Sequence, residues 1–288
     1  MRNYGSQSMV EPLRRVLIRR PDTAFAVDDP GKWHYTGRPN LQVACQEHDA
    51  LAAILRQTGA EVIYHDELLP YHADAIFVHD PAIVTDRGAI ILKMGKALRV
   101  GEESAIARCF ERLGVPIYYT LHGKARAEGG DLLWIDHDTL AVGQGFRTNA
   151  EGLRQLKEAL GKIGVNIIPV QLPYDKGPAS CLHLMSLISL VDHKTAVVYL
   201  PLLPVPFWQY LKARNFKLVE VPAEEFPTMG PNVLALAPGK CLMLKGNPIT
   251  KQRLEEAGCQ VLTYKGDEIS LKAEGGPTCL TRPILRGE

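Results

Sequence analysis

The stretch Leu132-Leu-Trp-Ile-Asp-His-Asp-Thr-Leu-Ala-Val142, followed by helical periodicity from about Ala150 to Ile163 and a third apolar run, Val165-Asn-Ile-Ile-Pro169, decides the fold reading. Two short apolar runs across the turn Asp136-His-Asp138 predict a hairpin. The periodic segment and the run after it predict a helix and one more strand. The unit is therefore strand, strand, helix, strand.

The same unit can be read on either side. Before it stand Ala75-Ile-Phe-Val78, Ala89-Ile-Ile-Leu92, a helix from about Glu102 to Leu113 and Pro116-Ile-Tyr-Tyr119. After it come Leu184 to Val191, Ala196-Val-Val-Tyr199, a helix from about Phe207 to Arg214 opened by Pro206, and Lys217-Leu-Val-Glu220. A fourth unit has Val233-Leu-Ala-Leu236, Cys241-Leu-Met-Leu244, a helix from about Pro248 to Ala257 and Gln260-Val-Leu-Thr263. A fifth joins the chain ends: Thr278 to Leu285, Arg15-Val-Leu-Ile-Arg19, a helix from Val43 to Gln57 and Glu61-Val-Ile-Tyr64. Five α/β units closed by both termini suggest a circular arrangement with loops converging on a central channel. No linker rich in Gly, Ser or Pro divides the chain, so one domain over residues 1–288 is expected. The segment Thr23 to Asn40 is polar and aperiodic, with Pro30-Gly31 and Pro39, and is a candidate lid.

Composition narrows the function. With 288 residues, 46% hydrophobic and 23% charged, the chain can bury a substantial core. A net charge of +1 without basic runs disfavours nucleic acid as a partner. No apolar run is long enough to span a bilayer, and Met1-Arg2-Asn3-Tyr4-Gly5-Ser6 has no signal-peptide character, so a cytoplasmic protein with no membrane partner is expected. Six cysteines show no CxxC spacing, the histidines no HExxH, and Gly143-Gln-Gly145 lacks the third glycine of a dinucleotide fingerprint. Neither a metal nor a cofactor is expected.

Several residues stand where a core would not choose them. Cys279 follows Glu274-Gly-Gly-Pro-Thr278, a bent segment suited to presenting a thiol, although a cysteine beside Leu280 also suits packing. His183 opens an apolar run, as a core histidine or as an acid and base for a thiol. Asp80 and Glu128 abut apolar runs and require partners, either structural arginines such as Arg19 or Arg147, or a cationic ligand. A guanidinium ligand makes a coherent demand: two carboxylates grip its nitrogens, a thiol attacks its carbon, an imidazole protonates the leaving nitrogen, and Arg99 and Arg147 remain for an α-carboxylate.

Taken together, Phe77-Val-His-Asp-Pro81, Ala97-Leu-Arg-Val-Gly-Glu102, Glu128-Gly-Gly-Asp131, Gly145-Phe-Arg-Thr-Asn149, Leu182-His-Leu184 and Gly275-Gly-Pro-Thr-Cys-Leu-Thr-Arg-Pro283 resemble the guanidino-group-modifying superfamily of arginine deiminase, dimethylarginine dimethylaminohydrolase and the amidinotransferases. The resemblance implies a five-bladed α/β propeller of repeated strand-strand-helix-strand units, often homodimeric. It implies Cys279 as nucleophile, His183 as general acid and base, Asp80 and Glu128 as the guanidinium clamp, Asp131 as a helper, and Arg99 and Arg147 as carboxylate contacts. Met185 stands where deiminases have an Asp, and the length leaves no room for their inserted helical domain. Hydrolysis of dimethylarginine to citrulline and dimethylamine is therefore the first expectation. The alternatives are a deiminase or dihydrolase acting on arginine or another guanidino acid, an amidinotransferase, and a non-catalytic guanidino-compound binder.

Overall fold

A computed structural model describes residues 2–178 and 181–287. The chain opens with β1 (Leu13–Ile18), α1 (Pro30–Trp33), α2 (Leu41–Gln57) and β2 (Glu61–Tyr64). Next come β3 (Ala82–Thr85), β4 (Gly88–Ile91), α3 (Glu102–Arg112) and β5 (Ile117–Thr120). They are followed by β6 (Leu132–Asp136), β7 (Thr139–Gln144), α4 (Ala150–Gly161) and β8 (Asn166–Gln171). The third such group is β9 (Ile188–Asp192), β10 (Thr195–Val198), α5 (Val205–Ala213) and β11 (Lys217–Glu220). The fourth is β12 (Val233–Ala237), β13 (Lys240–Leu244), α6 (Pro248–Glu256) and β14 (Gln260–Tyr264), and β15 (Arg282–Arg286) ends the chain.

These strands form five three-stranded sheets, and the chain ends share one of them, in the order β15-β1-β2. In each sheet the first strand runs antiparallel to the middle one and the third parallel to it, as in β6, β7 and β8. The joined sheet keeps the same pattern, with β15 antiparallel and β2 parallel to β1. The hairpins follow from short turns, and each parallel third strand needs the intervening helix to return the chain. Local chemistry starts the helices. Asn149 Oδ1 accepts from Gly152 N at 2.8 Å at the head of α4, and Pro206 and Pro248 occupy the first turns of α5 and α6. In α3, Ala105, Ile106, Cys109 and Phe110 make the buried stripe at helical spacing.

Three expectations need correction. The expected propeller is not what these sheets form: each is an open row of three strands, none curls or closes on itself, and the architecture is an α/β fold of five sheet-and-helix repeats. The apolar run Ala75 to Val78 is no strand, because a single 3₁₀ turn, Ala73–Ile76, takes it and the strand begins at Ala82. Likewise Leu184–Ser186 is a 3₁₀ turn and the strand starts at Ile188. Both segments are buried, so apolarity alone did not reveal their conformation.

The core lies between repeats as much as within them. Leu17 and Ile284 of the joined sheet pack in one cluster with Val84 and Phe110 of the next repeat. Leu234 and Leu236 of β12 share another with Leu51 and Leu55 of α2. One consequence sets up the site: β3, β6, β9, β12 and β15, the first strands of their repeats, are preceded by the segments that carry Asp80, Glu128, His183, Asn232 and Cys279.

If the joined sheet holds the repeats together, Ile284→Ala should destabilise the protein by about 2–5 kcal/mol in denaturant unfolding. Leu68→Ala, at a side chain 93% exposed, should stay within about 0.5 kcal/mol.

Candidate active site

The segments before the first strands meet at a cavity of about 40 Å³. Cys279, His183, Asp80 and Arg147 line it, and Trp33 and His34 from the segment Thr23 to Asn40 border it. By this measure it holds about two or three waters.

His183 is placed by its backbone and by a carboxylate beneath it. Asp131 accepts from Leu184 N at 3.0 Å and from Thr148 Oγ1 at 2.6 Å, which fixes the turn on which His183 sits. Gly130 has to be glycine, since a Cβ there would fall 2.4 Å from His183 Nδ1. His183 Nε2 lies 2.7 Å from Glu128 Oε2. Burial disfavours a charged imidazole, yet Cys181, Asp131 and Glu128 outweigh it and hold the His183 proton well above the ordinary range. Burial also pushes Asp131 up to about 6.

Glu128 has no exposed surface and does not line the cavity. Its Oε1 accepts from Gly95 N at 2.8 Å and Lys96 N at 3.0 Å, while Oε2 pairs with Arg147 Nη1 at 3.0 Å as well as with His183. Burial works against its ionisation, but the hydrogen bond and charge of His183, with Arg147, hold it well below the usual carboxylate range.

Asp80 does reach the cavity. Its Oδ1 accepts from Gly130 N at 3.0 Å, and its Oδ2 pairs with Arg99 Nη1 at 2.5 Å. Burial opposes its charge, and Arg99 and His183 prevail, keeping it below the ordinary value. Arg99 is itself occupied. Its guanidinium also donates to both Glu102 oxygens and to the Phe77 carbonyl. Burial lifts Glu102 to about 7 against the pull of Arg99. Arg19, the other arginine considered for these acids, is elsewhere, paired with Asp22 at 2.7 Å.

Cys279 is partly buried just before β15. Asn232 Nδ2 donates to its Sγ at 3.4 Å, and Asn232 Oδ1 accepts from Thr278 N at 3.1 Å and Thr278 Oγ1 at 2.9 Å. Gly276 admits this asparagine, because a Cβ there would lie 2.4 Å from its side chain. Burial and the charge of Asp80 push the thiol up, partly offset by His183 and Asn232.

The segment Thr23 to Asn40 lies against this cavity. Tyr35 donates to Asp74 at 2.9 Å, Lys96 pairs with Asp74 at 2.5 Å, and Lys96 also donates to the Trp33 carbonyl at 2.8 Å. Sequence reasoning missed four residues here: Asn232, Glu102, Glu274 and Cys181. Glu274 lines the cavity on a left-handed backbone, φ 58°, and Cys181 lies 3.6 Å from His183 Nδ1. Asn232 had a signal, since it stands before β12 as Cys279 stands before β15. Among the described residues no group of three His, Cys, Asp or Glu could hold a metal, and no helix is long and apolar enough to cross a membrane.

Against this geometry stand the known proteins. The family model described as "N,N dimethylarginine dimethylhydrolase, eukaryotic" matches residues 30–286. The dimethylarginine dimethylaminohydrolase of Pseudomonas aeruginosa is 27% identical over 267 residues, 92% of this chain and 97% of that protein. The uncharacterized protein YkgA of Bacillus subtilis is 29% identical over 282 residues, 96% of this chain and 93% of that one. In fold, the chain is similar to the N-terminal domain of ArgZ, an arginine dihydrolase from the ornithine-ammonia cycle in cyanobacteria, with a TM-score of 0.82 at 20% identity over 96% of this chain and 99% of that one. The chain thus belongs to the dimethylarginine dimethylhydrolase family, within the superfamily of hydrolases and amidinotransferases that act on guanidino C–N bonds.

Proposed function

We propose that the chain hydrolyses dimethylarginine to citrulline and dimethylamine, with Cys279 as nucleophile and His183 as acid and base. The observation that carries the reading is that the Cys279 thiol, the His183 imidazole and the Asp80 carboxylate border one cavity. Asp80 holds the guanidinium edge while the Cys279 sulfur bonds to its carbon. The C–N bond to the amine breaks as the His183 proton passes to the departing nitrogen. A water then bonds to the thiouronium carbon as it loses one proton to His183, the C–S bond breaks to free the thiolate, and the remaining hydroxyl proton passes to the released dimethylamine, leaving neutral citrulline.

In this scheme Glu128 orients His183 from behind instead of gripping substrate. Arg99 steadies Asp80, and Arg147 is left as the contact for the α-carboxylate. Asp131 acts through the His183 turn, and Asn232 aims the thiol. Dimethylated substrate is favoured because Met185, 2% exposed and packed in the core, supplies no second acid to grip a nitrogen that has lost its protons to methyl groups. Trp33 and His34 border the cavity, and Thr23 to Asn40 serves as the lid over it.

The raised thiol is resolved by the substrate itself, because a cation held against Sγ favours the thiolate. In the free protein, thiolate absorbance lost in Cys279→Ser should therefore appear only above the ordinary thiol value of about 8.5. Removing the Glu128 charge takes away support for the imidazolium. Glu128→Gln should thus move the alkaline limb of kcat/KM to lower pH, by about one to two units; an unmoved limb would mean that Glu128 does not act through His183.

The reaction itself is tested by product. Dimethylarginine should yield citrulline and dimethylamine at a higher kcat/KM than arginine yields ammonia. His183→Ala should lower the rate about 10²–10⁴-fold. Cys279→Ser should abolish it, while Cys181→Ser should retain it. Turnover only after addition of an amine acceptor would instead mean amidino transfer.

A further inference from the structure

In the proposed reaction the Asp80 carboxylate holds the edge of the guanidinium while the Cys279 sulfur reaches its carbon, so the spacing of these two groups governs the rate. They stand on segments far apart in the chain. Arg99 and the Gly130 amide hold the Asp80 carboxylate, and Asn232 holds the sulfur. None of these bonds joins the one segment to the other. The residue before Asp80 does.

His79 is 4% exposed and does not line the cavity beside Cys279. Its amide N–H donates to the Cys279 carbonyl at 3.3 Å, and its ring Nδ1 lies 2.9 Å from the Thr281 carbonyl, across 202 residues of chain. A carbonyl oxygen only accepts, so the ring proton sits on Nδ1. Burial, helped by the charge of Arg282, pulls His79 down to about 3, so the ring is a neutral donor near pH 7. The His79 carbonyl in turn accepts from Arg282 Nη2. Two glycines let the segments close on each other. A Cβ at Gly129 would fall 2.2 Å from the His79 carbonyl oxygen, and one at Gly275 would fall 2.1 Å from the Phe77 ring.

An apolar side chain of the same volume would meet a packing need alone. The imidazole adds direction, because its N–H fixes the Thr281 carbonyl two residues beyond Cys279. On the reading of Cys279 as nucleophile and Asp80 as clamp, we propose that His79 is a positioning residue, which sets the spacing of the two by holding the Cys279 and Thr281 carbonyls. It acts through the backbone and touches no substrate.

Chloroacetamidine and iodoacetamide read that spacing separately from the thiol. Each forms a C–S bond at Cys279 with loss of halide, but only the first carries an amidinium for Asp80 to hold. The ratio of amidine to amide rates at Cys279, followed by peptide mass spectrometry and divided by the same ratio for N-acetylcysteine, should exceed one in the wild type. His79→Met should lower it about tenfold or more, with the iodoacetamide rate unchanged. His79→Asn, whose amide brings an N–H to the place of Nδ1, should keep the ratio within about threefold of the wild type. In turnover of dimethylarginine, His79→Met should lose about 10–10²-fold in kcat with KM within about threefold, a split that loosening of the whole fold does not give. Should His79→Met not fold, His79→Gln takes its place, since its amide lies one bond further out, and the ratio should fall about threefold or more. An unchanged ratio in that variant, or an equal loss in His79→Asn, overturns the role of His79 and leaves the reading of the site intact. A wild type without preference for the amidine overturns that reading, and the role of His79 with it.

Discussion

One buried carboxylate organises the end of the protein at which the candidate site lies. Glu128 has no contact with solvent and accepts from the Gly95 and Lys96 amides, from Arg147 and from the His183 ring. An ionised group in that position is tolerated only if all its lone pairs are met. The requirement draws together three loops that lie far apart in the chain. The bond from His183 also helps Cys181 and Asp131 to hold the imidazole proton, so packing and the electrostatics of the cavity share contacts.

A second layer follows the same logic. Asp80 is ionised because Arg99 stands behind it, and Arg99 is tolerated in the interior because Glu102 and the Phe77 carbonyl complete its fork. Asp131 holds the Leu184 amide and so the turn below His183. Asn232 ties the Thr278 backbone to the Cys279 sulfur. Asp80, His183 and Cys279, which face the cavity, are each held by a buried partner: Arg99, Glu128 and Asn232. In the proposed reaction such support keeps these groups aligned before substrate binds.

Much of this was legible in the chain. Hairpin turns and helical spacing gave the β6–β8 and β12–β14 repeats nearly to the residue, and the pattern left at the two termini implied the shared sheet. The first strand of the β3–β5 repeat was misplaced because Ala75 to Val78 is as apolar as Ala82 to Thr85, and both are buried. The propeller that the resemblance implies is not what the sheets form, and the pattern of runs could not correct it, because pattern counts units but does not show how sheets close. At the site, residue chemistry singled out Cys279, His183, Asp80 and Glu128. It could not divide them into cavity-facing and supporting groups, since that depends on pairings across 19 to 55 residues. Arg99 looked like a spare cation for the same reason. Asn232 carries no reactive group and is visible only once the repeats are superposed.

The central claim is that the Cys279 sulfur bonds to the guanidinium carbon while His183 manages protons. It is tested most directly by rapid-quench peptide mass spectrometry of His183→Ala mixed with S-methyl-thiocitrulline, whose thiolate leaving group needs no proton from the imidazole. The account predicts an adduct that accumulates on the peptide carrying Cys279, heavier by the substrate less methanethiol. Release of methanethiol with Cys279 unmodified, or with the adduct on Cys181, would contradict it.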